Sequence, residues 1–205
     1  MTMDTLTVLH LDALTEVFNV GAGRAAASLS EIVGDEVKLS VPLIEIKKTS
    51  EADKVLVEFN NVRFGAVSQQ FSGPFDAEAT LLFTEAHALE IVRDMMGSQM
   101  SIEELAEFEQ EAMCELGNII LNACLSAMAD MLQISLNSSL PSYKIATTEE
   151  IFKGIINASE LPYVLVLHID LKIEKRQSEG NLIFLLSSMS LQKLIVQIDR
   201  FLGNI

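Results

Sequence analysis

Residues 12–29 read DALTEVFNVGAGRAAASL, and residues 111–128 read EAMCELGNIILNACLSAM. In both, apolar residues recur at three- and four-residue steps, the spacing of one buried face of a helix. In both, the same polar residues stand at the same places. Asp12, Glu16 and Asn19 fall on Glu111, Glu115 and Asn118 at an offset of 99 residues, and Pro42 falls on Pro141 at that same offset. Between them Leu14 falls on Met113, Val17 on Leu116, Leu29 on Met128 and Val41 on Leu140. The halves also end alike, LEIVRDMMG (89–97) against IVQIDRFLG (195–203), with a shifted offset. This is internal duplication, with an insertion after the first proline.

Working outward, the periodicity predicts a helix over 5–33, strands within 37–83, and a helix over 85–97 between an N-cap at Thr84 and a stop at Gly97. The strands of the first half are VKLSVPLIEI, KVLVEFNNV, FGAVSQQF and AEATLLFT. Then the order restarts. Ser101 and Glu104 form a capping box opening a helix to about residue 132. Strands follow in ISLNSSLP (134–141), YVLVLHIDLKIEK (163–175) and NLIFLLSS (181–188), with KIEKRQSEG a solvated hairpin end and SLQKLIVQIDRFLG a last helix. The expected fold is α+β: two α-β-β-β-α halves, 1–99 and 100–205, within a single domain spanning 1–205. A pseudo-two-fold axis relates them, and their strands form a mainly antiparallel sheet flanked by the long helices. The small residues Gly21, Ala22, Gly23 and Ala25–Ala27 imply close packing of the first helix on another backbone.

Composition narrows the function. With 49% apolar residues the chain can bury a sizeable core. A formal charge of −15 repels nucleic acid and anionic membrane surfaces, and no Lys/Arg cluster offsets it. The longest apolar runs are strand-sized, and the N-terminus lacks the basic and apolar sections of a signal peptide. Cys114 and Cys124 lie on one predicted helix, about 15 Å apart along its axis, too far for a disulfide. A reducing, cytoplasmic setting is expected.

The duplicated polar residues carry the functional signal. Positions i, i+4 and i+7 differ in azimuth by only about 40° and 20°, so they share one stripe of a helix. Charged residues on such a stripe commonly do no more than face solvent. Asparagine, however, is a poor mid-helix residue, and it stands mid-helix twice, three residues after Glu. Paired carboxylates could hold a divalent cation. Yet His10, His87 and His168 are scattered, and no metal motif, nucleophile elbow or phosphate loop occurs, so no metal site is assigned. A carboxamide cannot act as a nucleophile or base, but it can position an attacking water, which suits phosphoryl transfer. A neighbouring Glu would pair with a partner's Lys. The partner would bring the phosphate and its Mg²⁺.

These two segments resemble the signature Asp/Ser-x-x-x-Glu-x-x-Asn, followed after about 22 residues by Pro, of the CheC/CheX/FliY family of bacterial chemotaxis phosphatases. Two copies in one chain are similar to the CheC type. Glu111 departs mildly from the pattern at the leading position. The resemblance implies hydrolysis of the phospho-aspartate on a CheY-type response regulator. Asn19 and Asn118 would orient the water, and Glu16 and Glu115 would dock on the regulator's lysine. Asp12, Glu111, Pro42 and Pro141 would support the motif. It implies no cofactor of the chain's own, Mg²⁺ in the regulator, and a CheD-like deamidase as a second partner. A duplicated chain is compatible with a monomer. Two rivals stand beside the phosphatase: a non-catalytic adaptor for a receiver or a CheD-like deamidase, and a metal-dependent hydrolase of small phosphoesters. The cognate regulator is not legible.

Overall fold

A computed structural model of the chain describes residues 6–48, 62–96, 101–147, 149–151, 163–173 and 176–203. Its elements run α1 (Val8–Val33), β1 (Val37–Lys48), β2 (Arg63–Ser72), β3 (Ala77–Thr84), α2 (Glu85–Met96), α3 (Ile102–Leu132), β4 (Asn137–Ser138), β5 (Ser142–Thr147), β6 (Tyr163–Ile173), β7 (Arg176–Leu186) and α4 (Ser188–Gly203). Mixed α+β architecture is as expected.

Helix ends follow local chemistry. The Thr7 hydroxyl accepts from the His10 N–H, and the Thr7 N–H returns a bond to His10 Nδ1, a capping box with imidazole in the usual place of Glu. With Nδ1 accepting, Nε2 is the protonated nitrogen and donates to Asp199 at 2.9 Å, tying the start of α1 to α4. The helix stops at Gly34, which adopts φ +74° and returns its N–H to Ser30. Ser30 Oγ then accepts the Val37 N–H, so the turn delivers β1 directly onto α1. Ser101 and Glu104 cap α3 reciprocally, as expected. The backbone and hydroxyl bonds from Ser101 hold the Glu104 carboxyl below its usual range.

Among the described residues seven strands form one sheet in the order β1-β6-β7-β3-β2-β4, with β5 also on β2, and each of these pairings is antiparallel. The halves exchange their first strands: β1 pairs β6 of the second half, and β5 pairs β2 of the first. The registers repeat as well. Leu43↔His168 and His168↔Asn181 in one arm match Ser142↔Ser68 and Ser68↔Thr80 in the other. At the junction, Leu82↔Asn181 mirrors Thr80↔Ile183. This pattern is compatible with the duplication expected from the sequence. It makes position 69 of the first half the equivalent of position 169 of the second.

Side chains alternate across the sheet. The helix-facing side carries the main core, in which Leu14, Phe18 and Leu29 of α1 and Met113 and Leu116 of α3 are buried with Leu81, Phe83 and Phe184. The rings of Phe18 and Phe184 lie 5.6 Å apart, and burying one such side chain contributes about 1.5–3 kcal/mol. The other face carries a smaller cluster of Phe64, Leu82, Val164, Val166, Ile183 and Leu185. Helices α1 and α3 touch where a Cβ on Gly21 would stand 2.5 Å from Cys124 Cα, the close approach implied by the small residues. Gly23 takes no part, for no atom lies within 4 Å of its would-be Cβ. Helix α3 rests on β2 through Gly117, against Val67. Residues Glu107–Leu132 are long and apolar enough to cross a membrane by length and composition alone, a stretch that a search for apolar runs passes over. Of its most apolar window, 56% is buried inside the fold.

Three expectations need correction. The strand expected over 134–141 shrinks to β4, Asn137–Ser138, and the real edge strand is β5, Ser142–Thr147, over residues not assigned one. As an edge strand, β5 buries only Ala146 and lacks a clear alternation. Strand β7 begins at Arg176 rather than 181, because the polar stretch before Asn181 still pairs with β6. The first helix starts at Val8, set by the Thr7 cap. The strand expected over 54–62 lies, except for Val62, outside the described residues.

Candidate active site

The two polar stripes fall on α1 and α3 as expected. Their carboxylates Asp12, Glu16, Glu111 and Glu115 are exposed, and Asn19 and Asn118 are half-buried. The two asparagines are held differently.

In the first half the register of β1 slips between Ser40 and Leu43, where Pro42 has no N–H to give the ladder. Val41, 1% exposed, is thereby freed from the ladder. Asn19 takes over both of its peptide groups. Its Oδ1 accepts the Val41 N–H at 2.9 Å, and its Nδ2 donates to Val41 O at 3.1 Å. Nδ2 also donates to Thr15 O at 2.9 Å. Both ends of the carboxamide are therefore engaged, and the Asn-to-Pro interval has a structural meaning: the amide stitches α1 to the bulge beside the proline.

In the second half the equivalent break separates β4 from β5 and contains Ser139, Leu140 and Pro141. Ser139 is fastened to β2: its N–H donates to Gln70 O at 2.9 Å, and its Oγ accepts the Gln70 N–H at 3.0 Å. Leu140, the counterpart of buried Val41, turns out to 90% exposure. Among the described residues no backbone group of the break bonds to Asn118. Instead Asn118 Oδ1 accepts from Asn122 Nδ2 at 2.6 Å and from Gln69 Nε2 at 3.4 Å. Among the described residues no acceptor engages Asn118 Nδ2. Asn118 lines an open cleft of about 710 Å³ together with Glu111, Glu115 and Pro141, walled by apolar groups that include Met95, Phe108 and Leu140.

Electrostatics separate this edge from nucleophilic chemistry. Burial raises the Cys114 thiol at the cleft and pushes buried Cys124 up to about 12, so neither is a ready thiolate. Tyr143 donates to the buried carboxylate of Glu109, which joins β5 to α3. Burial first, and then Glu109, raise the Tyr143 hydroxyl well above its usual range. Among the described residues no three His, Cys, Asp or Glu side chains converge as metal ligands.

The structure thus gathers Glu111, Glu115, Asn118 and Pro141 around one cleft. It leaves Asp12 and Glu16 exposed beside an asparagine already engaged. Gln69 and Asn122 escaped the sequence reading. Gln69 is a buried amide on the inward register of β2, between Val67 and Phe71. Asn122 stands one helical turn after Asn118, and that spacing was the available signal.

No family model matches the chain. It is 24% identical over 197 residues to the CheY-P phosphatase CheC of Bacillus subtilis (strain 168), a match covering 91% of this chain and 92% of that protein. Its fold resembles that of Thermotoga maritima FliY, with a TM-score of 0.78 at 22% identity, covering 96% and 99% of the two chains. It also resembles the chemotaxis protein CheX of Desulfovibrio desulfuricans, with a TM-score of 0.52 at 17% identity over 84% and 99%. FliM in the FliM–SpeE complex from H. pylori gives a TM-score of 0.63 at 12% identity, over 96% and 97%. The chain is thus similar to CheC along nearly the whole of both sequences, and its fold resembles those of FliY and CheX, with the two Glu-x-x-Asn helices lying on it.

Proposed function

We propose that the chain is a cytoplasmic aspartyl-phosphate phosphatase acting on a CheY-type response regulator, and that the edge formed by Glu115 and Asn118 is its working site. One observation carries the choice of edge: Asn118 is held by its oxygen, which leaves its Nδ2 free at an open cleft flanked by Glu111 and Glu115. In the reaction a water attacks phosphorus, the aspartyl carboxylate leaves, and the water's proton stays with inorganic phosphate. The carboxamide exchanges no proton in this scheme. It holds the water in line, where positioning and electrostatics supply most of the rate. Glu115, exposed one turn earlier, pairs with a lysine at the regulator's phosphate site. Mg²⁺ comes with the regulator as part of the substrate. The exposed Leu140 and the apolar wall of the cleft suit a small protein interface in which local contacts outweigh unfavourable long-range charge.

The first edge supports a second reading. Both N–H groups of the Asn19 carboxamide are engaged, one of them by Val41 O, and its oxygen already accepts from Val41 N–H, so Glu16 and Asp12 suit docking without chemistry, whether to a receiver or to a CheD-like deamidase. Phosphate release from a phosphorylated receiver with Mg²⁺ tests both readings. Native protein should accelerate release. Asn118→Ala should lose about a hundredfold or more of that acceleration, the scale of a lost positioning group. Acceleration that survives Asn118→Ala and vanishes in Asn19→Ala would reverse the assignment of edges. Binding without acceleration would leave the adaptor.

A further inference from the structure

We propose that Gln69 is a positioning residue for Asn118, the side chain that turns the Asn118 carboxamide so that its NH₂ faces the cleft. This rests on the phosphatase reading of the second edge and adds a residue to it. One group in the network has its role fixed by covalent structure. The Ser139 carbonyl can only accept, so the Gln69 atom 3.0 Å from it is Nε2. The second N–H of that nitrogen points to Asn118 at 3.4 Å, so the atom it meets is Oδ1. Asn122 must then offer Nδ2 to the same oxygen, and does so at 2.6 Å. A backbone carbonyl thus dictates three amide orientations in turn, and they turn Asn118 Nδ2, which no acceptor engages among the described residues, away from the Gln69 and Asn122 donors.

Gln69 does this from within the core. It is 1% exposed, and its Oε1 is buried without a donor. A buried orphan acceptor is costly, and an apolar residue there would avoid it. The other half of the molecule does so: the position equivalent to 69 is held by Ile169, which is buried and has no amide to offer. There, Asn19 goes to the strand backbone instead. Where Gln69 is present it bridges Asn118 to the Ser139 carbonyl, and the direct stitch seen at Asn19 is not made.

The test is Gln69→Met, which keeps the length and removes both donors. Phosphate release from a phosphorylated receiver is measured for native protein, Gln69→Met, Asn118→Ala and the double mutant, with melting curves for each. Gln69→Met should lower kcat about tenfold or more while KM changes by less than about twofold, the signature of lost positioning rather than lost docking. In the Asn118→Ala background it should have no further effect, because the group it aims is gone. A drop in kcat that persists in that background, or that merely follows the melting temperature, would make Gln69 a packing residue and overturn the proposal. Full activity in Gln69→Met with loss in Asn118→Ala would overturn it while leaving the phosphatase reading intact. No activity in native protein would overturn both.

Discussion

Asn19 and Asn118 are the same residue at the same place in a repeated helix, yet one is fastened and the other presented. What separates them is the neighbour that accepts or donates. Asn19 meets the Val41 peptide at 2.9 and 3.1 Å, whereas Asn118 meets the Gln69 and Asn122 side chains. The two should therefore fail differently. Asn19→Ala strands an N–H and a C=O at a buried bulge and should cost about 1–3 kcal/mol of stability. Chemical denaturation should show it as a lower midpoint at unchanged slope. Asn118→Ala strands no backbone group and should unfold within about 0.5–1 kcal/mol of native protein. Equal destabilisation by both would contradict the asymmetry. The polar stripe itself was legible in the sequence because helical spacing puts i, i+4 and i+7 together. The difference between the stripes was not, because it depends on position 69, far away in sequence and brought beneath Asn118 only by the sheet.

Helix α1 approaches α3 closely at Gly21, and the two glycines there obey different rules. At Gly21 any side chain runs into the Cys124 backbone at 2.5 Å, so Gly21→Ala must push the helices apart. Overpacking of that kind costs about 1–3 kcal/mol, which outweighs the roughly 1 kcal/mol gained in helix propensity. At Gly23 no atom stands within 4 Å, so Gly23→Ala keeps the propensity gain and should stabilise by up to about 1 kcal/mol. Melting temperatures moving in opposite directions would bear this out, and a shared direction would refute it. Elements were readable from sequence wherever burial imposed a period. The helices α1 and α3 carry long apolar stripes, and β6 alternates cleanly toward the main core. At the sheet edge that signal fails. Strand β5 buries one residue of six, and its neighbour Pro141 marks the break rather than the strand. Periodicity therefore placed the strand too early.

Across the whole molecule, the order β1-β6-β7-β3-β2-β5 means that neither half completes its own sheet. Among the described residues strand β1 pairs with β6 alone, and the two halves meet along β3 and β7. The 99-residue offset predicted two similar halves, but no periodicity discloses that they trade strands, since exchange is a property of long-range pairing. A consequence for stability follows. A fragment of residues 1–99 lacks the partner of β1 and exposes the β3 edge, so alone it should associate or remain unfolded, and the full chain should unfold in one transition. Calorimetry of the intact protein checks the second point, with calorimetric and van't Hoff enthalpies expected to agree. Two separated transitions would show that the halves are autonomous.

The traded strands also bear on how such a molecule can change. Two identical chains exchanging strands in this way would be bound by their symmetry: every substitution would appear twice, and both asparagines would be either clasped or open. Joined head to tail, the copies escape that bond. A glutamine at 69 answered by an isoleucine at 169 is written only once, and it acts across the seam on a helix of the opposite half. The linkage between the copies is thus what permits a single molecule to keep one arm as a rivet and leave the other as an outstretched hand.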